Sequence, residues 1–240
     1  MTTPKQDTDT TRTLQGLEDS RSSVRLRAAL AAGTTPDPRF VDKLIERCAI
    51  EPEFYVRETL TWALTRHAAP ARHAAPTRHA APARHTGPTL VTKLVGQLRS
   101  EHARARSQAL HTLSKIGDRR AWPAITPALL TDTDDEVAQS AWRAAVVLVP
   151  EGEEPELARA LAAQLGRGGR ATQLSLSRAL VALGEVITPT LRAATTNSDP
   201  RVRQHAIATE RLLNDPDTGF EFAIEEAKRI MALGATSQEG

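Results

Sequence analysis

Aromatic side chains are scarce in this sequence, because Phe, Tyr and Trp together make up 3% of the 240 residues. Ala and Leu recur throughout instead, and both are strong helix formers, whereas β-sheets are rich in aromatic and β-branched residues. The apolar fraction of 40% is large enough to fill a core. The composition therefore favours an all-α protein over a β-sandwich and excludes a wholly disordered chain.

Cysteine is almost absent, since Cys48 is the single one and cannot form an internal disulfide. The first residues, MTTPKQDTDT, lack the basic and apolar regions of a signal peptide. No apolar run approaches the roughly 18 to 20 residues that a membrane-spanning helix needs. We therefore expect a soluble, cytoplasmic protein that has no membrane segment.

A general excess of positive charge is also lacking, although the formal net charge is +2. The tract 66–85 holds four arginines and no acid, and without it the net charge changes from +2 to −2. The rest of the chain therefore has no general attraction for a phosphate backbone. Nucleic acid is not the partner that the composition favours.

What the sequence does contain is an internal repeat. Six segments share a small apolar anchor, usually followed by Arg, with Ala or Leu four residues later. The anchors are Val24, Val56, Ala105, Val137, Thr172 and Val202. Their spacings are 32, 49, 32, 35 and 30 residues, and a period near 32 is typical of helical repeat proteins.

The spacing of 49 residues is explained by a tandem six-residue unit, RHAAPA, which recurs between Arg66 and Pro88. This tract contains His67, His73, His79 and His85, and a His-rich run can bind metal. However, the recurring prolines forbid a continuous helix, and in polyproline II successive histidines would stand about 19 Å apart. We therefore expect a disordered loop and no metal site.

A second amphipathic stretch precedes each anchor segment, as in FVDKLIERCAI at 40–50, so each repeat is predicted to be a helical hairpin. The helix ends carry recognisable chemistry. Thr133 with Glu136 fits a capping box, Asp199 with Pro200 fits an N-cap followed by a first-turn proline, and Gly117 fits a helix C-terminus.

The short turn followed by D-x-x-V-R, as at 199–203, and the stretch ALHTLSKIGD at 109–118 resemble the HEAT-repeat family, and especially its short bacterial class named after phycobilisome lyases. The resemblance covers residues 12–214. It implies an α-solenoid of about six HEAT-like helical hairpins, whose second helices line the inner surface. We expect disordered ends at 1–11 and 235–240, a solenoid at 12–214 interrupted by the loop at 66–88, and a C-terminal capping helix at 215–234.

The resemblance also implies a structural role for the arginines that follow four of the anchors. In HEAT-like proteins the similar position ties adjacent repeats together by pairing with groups in a neighbouring turn. The arginines in question are Arg25, Arg57, Arg106 and Arg203.

A candidate binding row lies six residues after each anchor, at Leu30, Trp62, His111, Arg143, Arg178 and Ala208. If the second helices line the inner surface, the four central side chains Trp62, His111, Arg143 and Arg178 form one row. Trp and Arg are frequent binding anchors. The alternative is that Trp62 belongs to the core and the arginines are an ordinary solvated face.

No catalytic motif is present, since the sequence has no phosphate-binding loop, no H-E-x-x-H and no G-x-S-x-G. No catalytic residue and no cofactor is therefore predicted. The leading hypothesis is a monomeric, non-catalytic scaffold that binds another protein along its concave face. The alternatives are a DNA-binding protein similar to the HEAT-like alkylpurine DNA glycosylases, and a chromophore lyase of the class whose name the repeat shares.

Overall fold

The computed structural model describes residues 4–68 and 86–236, and throughout these residues the regular structure is helical. The prediction of an all-α fold is confirmed. The chain divides into two compact units, residues 1–124 (unit 1) and 125–240 (unit 2).

Unit 1 consists of three antiparallel helical hairpins. Its helices are α1 (Pro4–Glu18), α2 (Ser22–Thr34), α3 (Val41–Ile50), α4 (Phe54–Ala68), α5 (Thr86–Gln97) and α6 (Ala103–Ile116). The second helices α2, α4 and α6 pack side by side, and the first helices α1 and α3 pack behind them. Leucines that point between the two layers, such as Leu44, Leu60 and Leu110, are fully buried.

Unit 2 repeats this arrangement with shorter first helices. Its helices are α7 (Pro127–Leu130), α8 (Asp135–Leu148), α9 (Glu154–Ala162), α10 (Arg170–Val181), α11 (Thr188–Ala194), α12 (Pro200–Asn214) and α13 (Phe220–Thr236). The second helices α8, α10 and α12 pack in that order, and α13 packs against α12. Trp142, at the centre of α8, is fully buried and donates its indole N–H to the Leu130 carbonyl at 2.8 Å.

Three predicted boundaries need correction. The N-terminus predicted as disordered over 1–11 instead begins α1 at Pro4, because Leu17 is buried and Gly16 lets this helix approach Ala28 closely. At the loop predicted over 66–88, α4 continues to Ala68 and α5 begins at Thr86, so both ends of that range are helical. Residues 69–85, which include His73, His79 and His85, lie outside the described part of the chain.

At the C-terminus, the helix predicted at 215–234 spans Phe220–Thr236, so it covers the first residues of the predicted disordered tail. The other residues of that tail, 237–240, lie outside the described part of the chain.

Helix ends follow the predicted chemistry in part. Asp199 caps α12 by accepting a hydrogen bond from the Arg201 N–H, and Gly117 ends α6 in the left-handed conformation at φ +69°, as predicted. The capping box predicted at Thr133 is wrong, because the neighbouring Asp134 caps α8 and accepts from the N–H groups of Glu136 and Val137. A carboxylate one residue later reaches the same free N–H groups and carries the charge that a helix N-terminus favours.

Candidate functional site

In each hairpin, three repeat positions of the second helix lie on the same face of that helix. Residues one position before the anchor, six after it and ten after it fall within about 40° of each other on a helix. We call this set the stripe. In unit 1 it consists of Ser23, Leu30, Thr34, Tyr55, Trp62, Arg66, Arg104, His111 and Lys115. In unit 2 it consists of Glu136, Arg143, Val147, Ala171, Arg178, Ala182, Arg201, Ala208 and Leu212.

The stripe faces solvent along most of the repeats. In the first five hairpins all of its residues are exposed except His111, which is half-buried. In the sixth hairpin Ala208 and Leu212 are buried. The four residues of the predicted binding row therefore lie on the solvent side of their helices, with Trp62 and His111 in unit 1 and Arg143 and Arg178 in unit 2.

Trp62 of α4 combines a packed ring with an exposed edge. A Cβ atom placed on Gly33 of α2 would come within 2.2 Å of the indole ring, so the ring lies directly against the Gly33 backbone. The residue is nevertheless 40% exposed. The indole is thus held in one position while part of it stays available, which lowers the entropic cost of binding through it.

Two further apolar residues of the unit 1 stripe are exposed around Trp62. Tyr55 is 77% exposed and lies two helical turns before Trp62 on α4, while Leu30 of α2 is 45% exposed and precedes Gly33 by one turn. The predicted row missed Tyr55 because it followed a single position per repeat. The spacing of seven residues, which returns to the same helix face, was the signal that could have revealed it.

The charged residues of the unit 1 stripe are all basic, namely Arg66, Arg104 and Lys115. An acid, Glu58, lies beside the stripe on α4, and its carboxylate stands 3.3 Å from Nε2 of His111 on α6. The imidazole and this carboxylate therefore face each other across two neighbouring second helices. The surface combines an apolar centre with a basic surround.

The unit 2 stripe has a different composition. Arg143 of α8 is exposed and donates to the Ser140 hydroxyl at 3.0 Å, and Arg178 of α10 is exposed as well. Val147 is its one exposed large apolar residue, and small residues such as Ala171 and Ala182 fill the rest. This surface offers guanidinium groups for ion pairing but no aromatic ring.

Helix α13 covers the end of the unit 2 stripe. Ala208 and Leu212 of α12 form a buried cluster with Phe220, Ala223, Ile224 and Ala227 of α13. Arg170 of α10 stands 3.6 Å from Glu221 and 4.0 Å from Glu225, and Arg211 of α12 stands 3.4 Å from Glu226. An amphipathic helix whose glutamates lie near two arginines of unit 2 thus packs on this part of the stripe.

Comparison with known proteins identifies the repeat. The family described as HEAT repeats matches residues 72–145. Residues 72–145 therefore contain HEAT repeats. The family predicted from the sequence is confirmed, and the narrower likeness to the class named after phycobilisome lyases stays a prediction.

Among solved structures, the complex of CpcE and CpcF of phycocyanin lyase from Nostoc sp. PCC7120 is similar to this chain. The sequence identity is 17% and the TM-score is 0.45, and the alignment covers 85% of this chain and 76% of that chain. No curated protein matches the sequence significantly.

The arginines that follow the anchors make the same contacts in four of the helical hairpins. In each case Nη1 donates to the carbonyl oxygens five and six residues earlier, at 2.6 to 3.1 Å. The residues are Arg25, Arg57, Arg106 and Arg203. These bonds close the turn inside each hairpin, which differs from the expected link between adjacent repeats, because the side chain reaches back over the first turn of its own helix.

Arg25 makes a second contact that does join two neighbouring helical hairpins. Its guanidinium binds both carboxylate oxygens of Glu51 at 2.7 Å, and Arg47 donates to the same carboxylate at 2.8 Å. Burial of Glu51 raises the pKa of its carboxyl, but the hydrogen bonds from Arg25, Arg47 and the Glu53 N–H outweigh it and lower the pKa to about 2. The pair is fully buried in unit 1.

The repeats of unit 2 are joined through polar groups around the turn 166–170. Asp135 accepts from the Arg167 guanidinium and from the Thr172 hydroxyl at 3.0 Å each. The Gly166 N–H donates to Nδ1 of His205 at 3.0 Å, so this nitrogen carries no proton. Burial lowers the pKa of His205 to about 4, which keeps the imidazole neutral.

Several kinds of site find no support among the described residues. These residues contain no group of three His, Cys, Asp or Glu side chains that could hold a metal ion. Cys48 is buried, and burial raises the pKa of its thiol to about 11, which disfavours the reactive thiolate.

A test for membrane-spanning segments over the same residues finds no single helix of sufficient length and apolarity. Helix α10 and the segment 184–194 reach the threshold only when taken together, and a bend of 116° separates them.

Proposed function

We propose that the chain is a non-catalytic scaffold that binds another protein along the exposed side of its second helices. The observation that carries this proposal is the unit 1 stripe, in which Tyr55 and Trp62 stay exposed in a protein with few aromatic residues. Exposed aromatic side chains that a neighbouring backbone holds in place are typical of binding hot spots.

The buried polar side chains stabilise the fold and are not available to a partner. Arg25, Glu51 and His205 are fully engaged in holding helical hairpins together. The residues of the unit 1 stripe are exposed instead, apart from the half-buried His111, and their side chains are available for a partner. Arg143 and Arg178 form a second basic surface in unit 2.

Capture from a native lysate on the immobilised full-length chain tests the proposal. We expect specific proteins to be retained by the wild type and lost with Tyr55→Ala, which removes an exposed ring and leaves the core intact. Gly33→Ala should reduce capture too, because the added methyl group displaces the indole of Trp62. Phe222→Ala is the matched control, since it removes an exposed aromatic ring from α13.

The same capture assay distinguishes proteins that bind unit 1 from proteins that bind unit 2. The double variant Arg143→Ala, Arg178→Ala should release proteins that depend on unit 2 without unfolding the chain, since both arginines are exposed. Retention of the same proteins by all of these variants, with circular dichroism spectra unchanged, would contradict the proposal. Retention of duplex DNA that is lost as salt rises would instead favour the nucleic-acid alternative.

A further inference from the structure

Helix α13 reveals, within the chain itself, what kind of segment packs on a stripe. Its apolar side, which includes Ala223, Ile224 and Ala227, buries Ala208 and Leu212. Its acidic residues face arginines on two second helices, as the Arg170–Glu221 and Arg211–Glu226 distances of 3.6 and 3.4 Å indicate. The end of the unit 2 stripe is thus covered by an amphipathic helix whose glutamates lie near Arg170 and Arg211, two arginines beside the stripe. The same helix also carries the exposed Lys228 and Arg229.

The stripe of unit 1 offers a similar surface that nothing in the described chain covers. Leu30, Tyr55 and Trp62 provide apolar area where Ala208 and Leu212 provide it in unit 2. Arg66, Arg104 and Lys115 provide the cations, and all three are exposed. One acid, Glu58, lies beside them, with its carboxylate 3.3 Å from Nε2 of His111.

The dimensions of this surface suit a short helix. Residues one before and ten after an anchor are separated by about 16 Å along the helix axis. The helices α2, α4 and α6 pack in sequence, and neighbouring helices lie about 8 to 10 Å apart, so three of them span about 20 Å. A helix of about 12 to 14 residues crosses that distance.

We propose that the unit 1 stripe binds an acidic amphipathic helix of a partner protein. The apolar side of that helix lies on Leu30, Tyr55 and Trp62, and its carboxylates pair with Arg66, Arg104 and Lys115. This inference rests on the proposed scaffold function and adds the chemistry of the partner. A basic helix would meet three cations at the same place, and an uncharged one would leave them unpaired, so both bind less well.

A peptide selection on the full-length chain tests the inference while the natural partner is still unidentified. The probe is a display library of random 16-residue peptides, and the selected peptides are then measured in solution against purified variants. We expect enrichment of Asp and Glu, together with Leu, Ile or Phe at spacings of three and four residues. The affinity of these peptides should fall as salt rises.

Charge reversal identifies where the selected peptides bind. Arg104→Glu with Lys115→Glu should weaken their binding at least about tenfold, since two attractive contacts become repulsive. Arg99→Glu with Arg119→Glu is the matched control, because it reverses two exposed charges of unit 1 that lie outside the stripe. Tyr55→Ala should also weaken binding, whereas the control pair should leave it unchanged.

Two outcomes would overturn the inference in distinguishable ways. Selected peptides that are basic or uncharged, yet lose binding with Tyr55→Ala, would leave the stripe as a docking surface and refute only the acidic partner. Peptides that bind the wild type and all of these variants equally, or no enrichment at all, would also refute the inference. If the stripe variants also capture the same proteins from the lysate as the wild type does, equal binding of the peptides or the lack of enrichment would refute the scaffold function as well.

Discussion

The two units are built from similar helical hairpins but present different surfaces. In unit 1 the stripe carries an indole, a phenol ring and three basic side chains, and all but His111 of its residues are exposed. In unit 2 it carries arginines among small residues, and α13 buries its end at Ala208. The repeat positions that build each hairpin are therefore similar, whereas the solvent-facing positions differ from unit to unit.

The units also differ in how neighbouring repeats are joined. Unit 1 uses a buried ion pair between Arg25 and Glu51, and unit 2 uses a neutral buried histidine, His205, together with the partly exposed contact of Asp135 with Arg167. A buried charge and a buried neutral group respond differently to mutation and to pH. The comparison can be tested through these differences.

The largest effect is expected from Glu51→Gln in unit 1. The substitution leaves the Arg25 guanidinium buried without its counter-charge, which costs about 3 to 5 kcal/mol of the free energy of unfolding. Asp135→Asn in unit 2 is the matched control and should cost less than about 1 kcal/mol, since that carboxylate is partly exposed. Urea unfolding followed by circular dichroism measures both values. Equal losses in the free energy of unfolding would contradict the proposed difference between the Arg25–Glu51 contact and the Asp135–Arg167 contact.

Acid should weaken unit 2 before unit 1. Because the pKa of His205 falls from 6.5 to about 4 on folding, its contribution, on the order of 3 kcal/mol, is present above pH 6.5 and lost as the pH falls towards 4. The carboxyl of Glu51 has a pKa lowered from 4.5 to about 2. Its contribution is therefore present above pH 4.5 and is lost only as the pH falls towards 2.

Amide hydrogen exchange, measured on proteolytic peptides across this pH range and corrected for the pH dependence of the intrinsic exchange rates, checks which unit loses stability first. Peptides from α12 should lose protection at a higher pH than peptides from α2. In His205→Gln the dependence between pH 6.5 and 4 should disappear from α12. Loss of protection in α2 first, or an unchanged profile in the variant, would show that other groups control the acid response.

The smallest effect is expected at the joint between α10 and α13. Arg170→Ala removes ion pairs with Glu221 and Glu225 that are partly exposed to solvent, so the free energy of unfolding should fall by less than about 1 kcal/mol. Exchange of the α13 amides should become faster while exchange in α1 stays the same. Arg178→Ala, which removes an exposed arginine from the same helix, should change neither rate.

Local sequence rules predicted much of this fold. The anchors Val56 and Val137 are buried, as expected of core positions with helical spacing. The caps at Asp199 and Gly117 follow from side-chain and backbone preferences that act within one turn. The position six residues after each anchor is exposed in four of the six repeats and half-buried at His111, while its role as a binding row along an inner surface stays a prediction.

The features that the sequence did not reveal depend on contacts between distant segments. Helix α1 is polar through most of its length, and the burial of Leu17 that anchors it depends on helices that follow in the chain. The stretch 119–130 forms a 3₁₀ helix and a single α-turn where the other hairpins have a longer first helix, because Pro123 and Pro127 interrupt it. The burial of Ala208 is caused by α13, which no local pattern in α12 indicates.

The central claim, that the unit 1 stripe is a docking surface, is tested most directly by site-specific photocrosslinking in the native lysate. A benzophenone amino acid replaces Tyr55 on the stripe or, as the control, Glu46, which is exposed on the first helix α3. We predict a discrete crosslinked species at position 55 that is absent at position 46. The same crosslinked species at both positions, or none at position 55, would contradict the account.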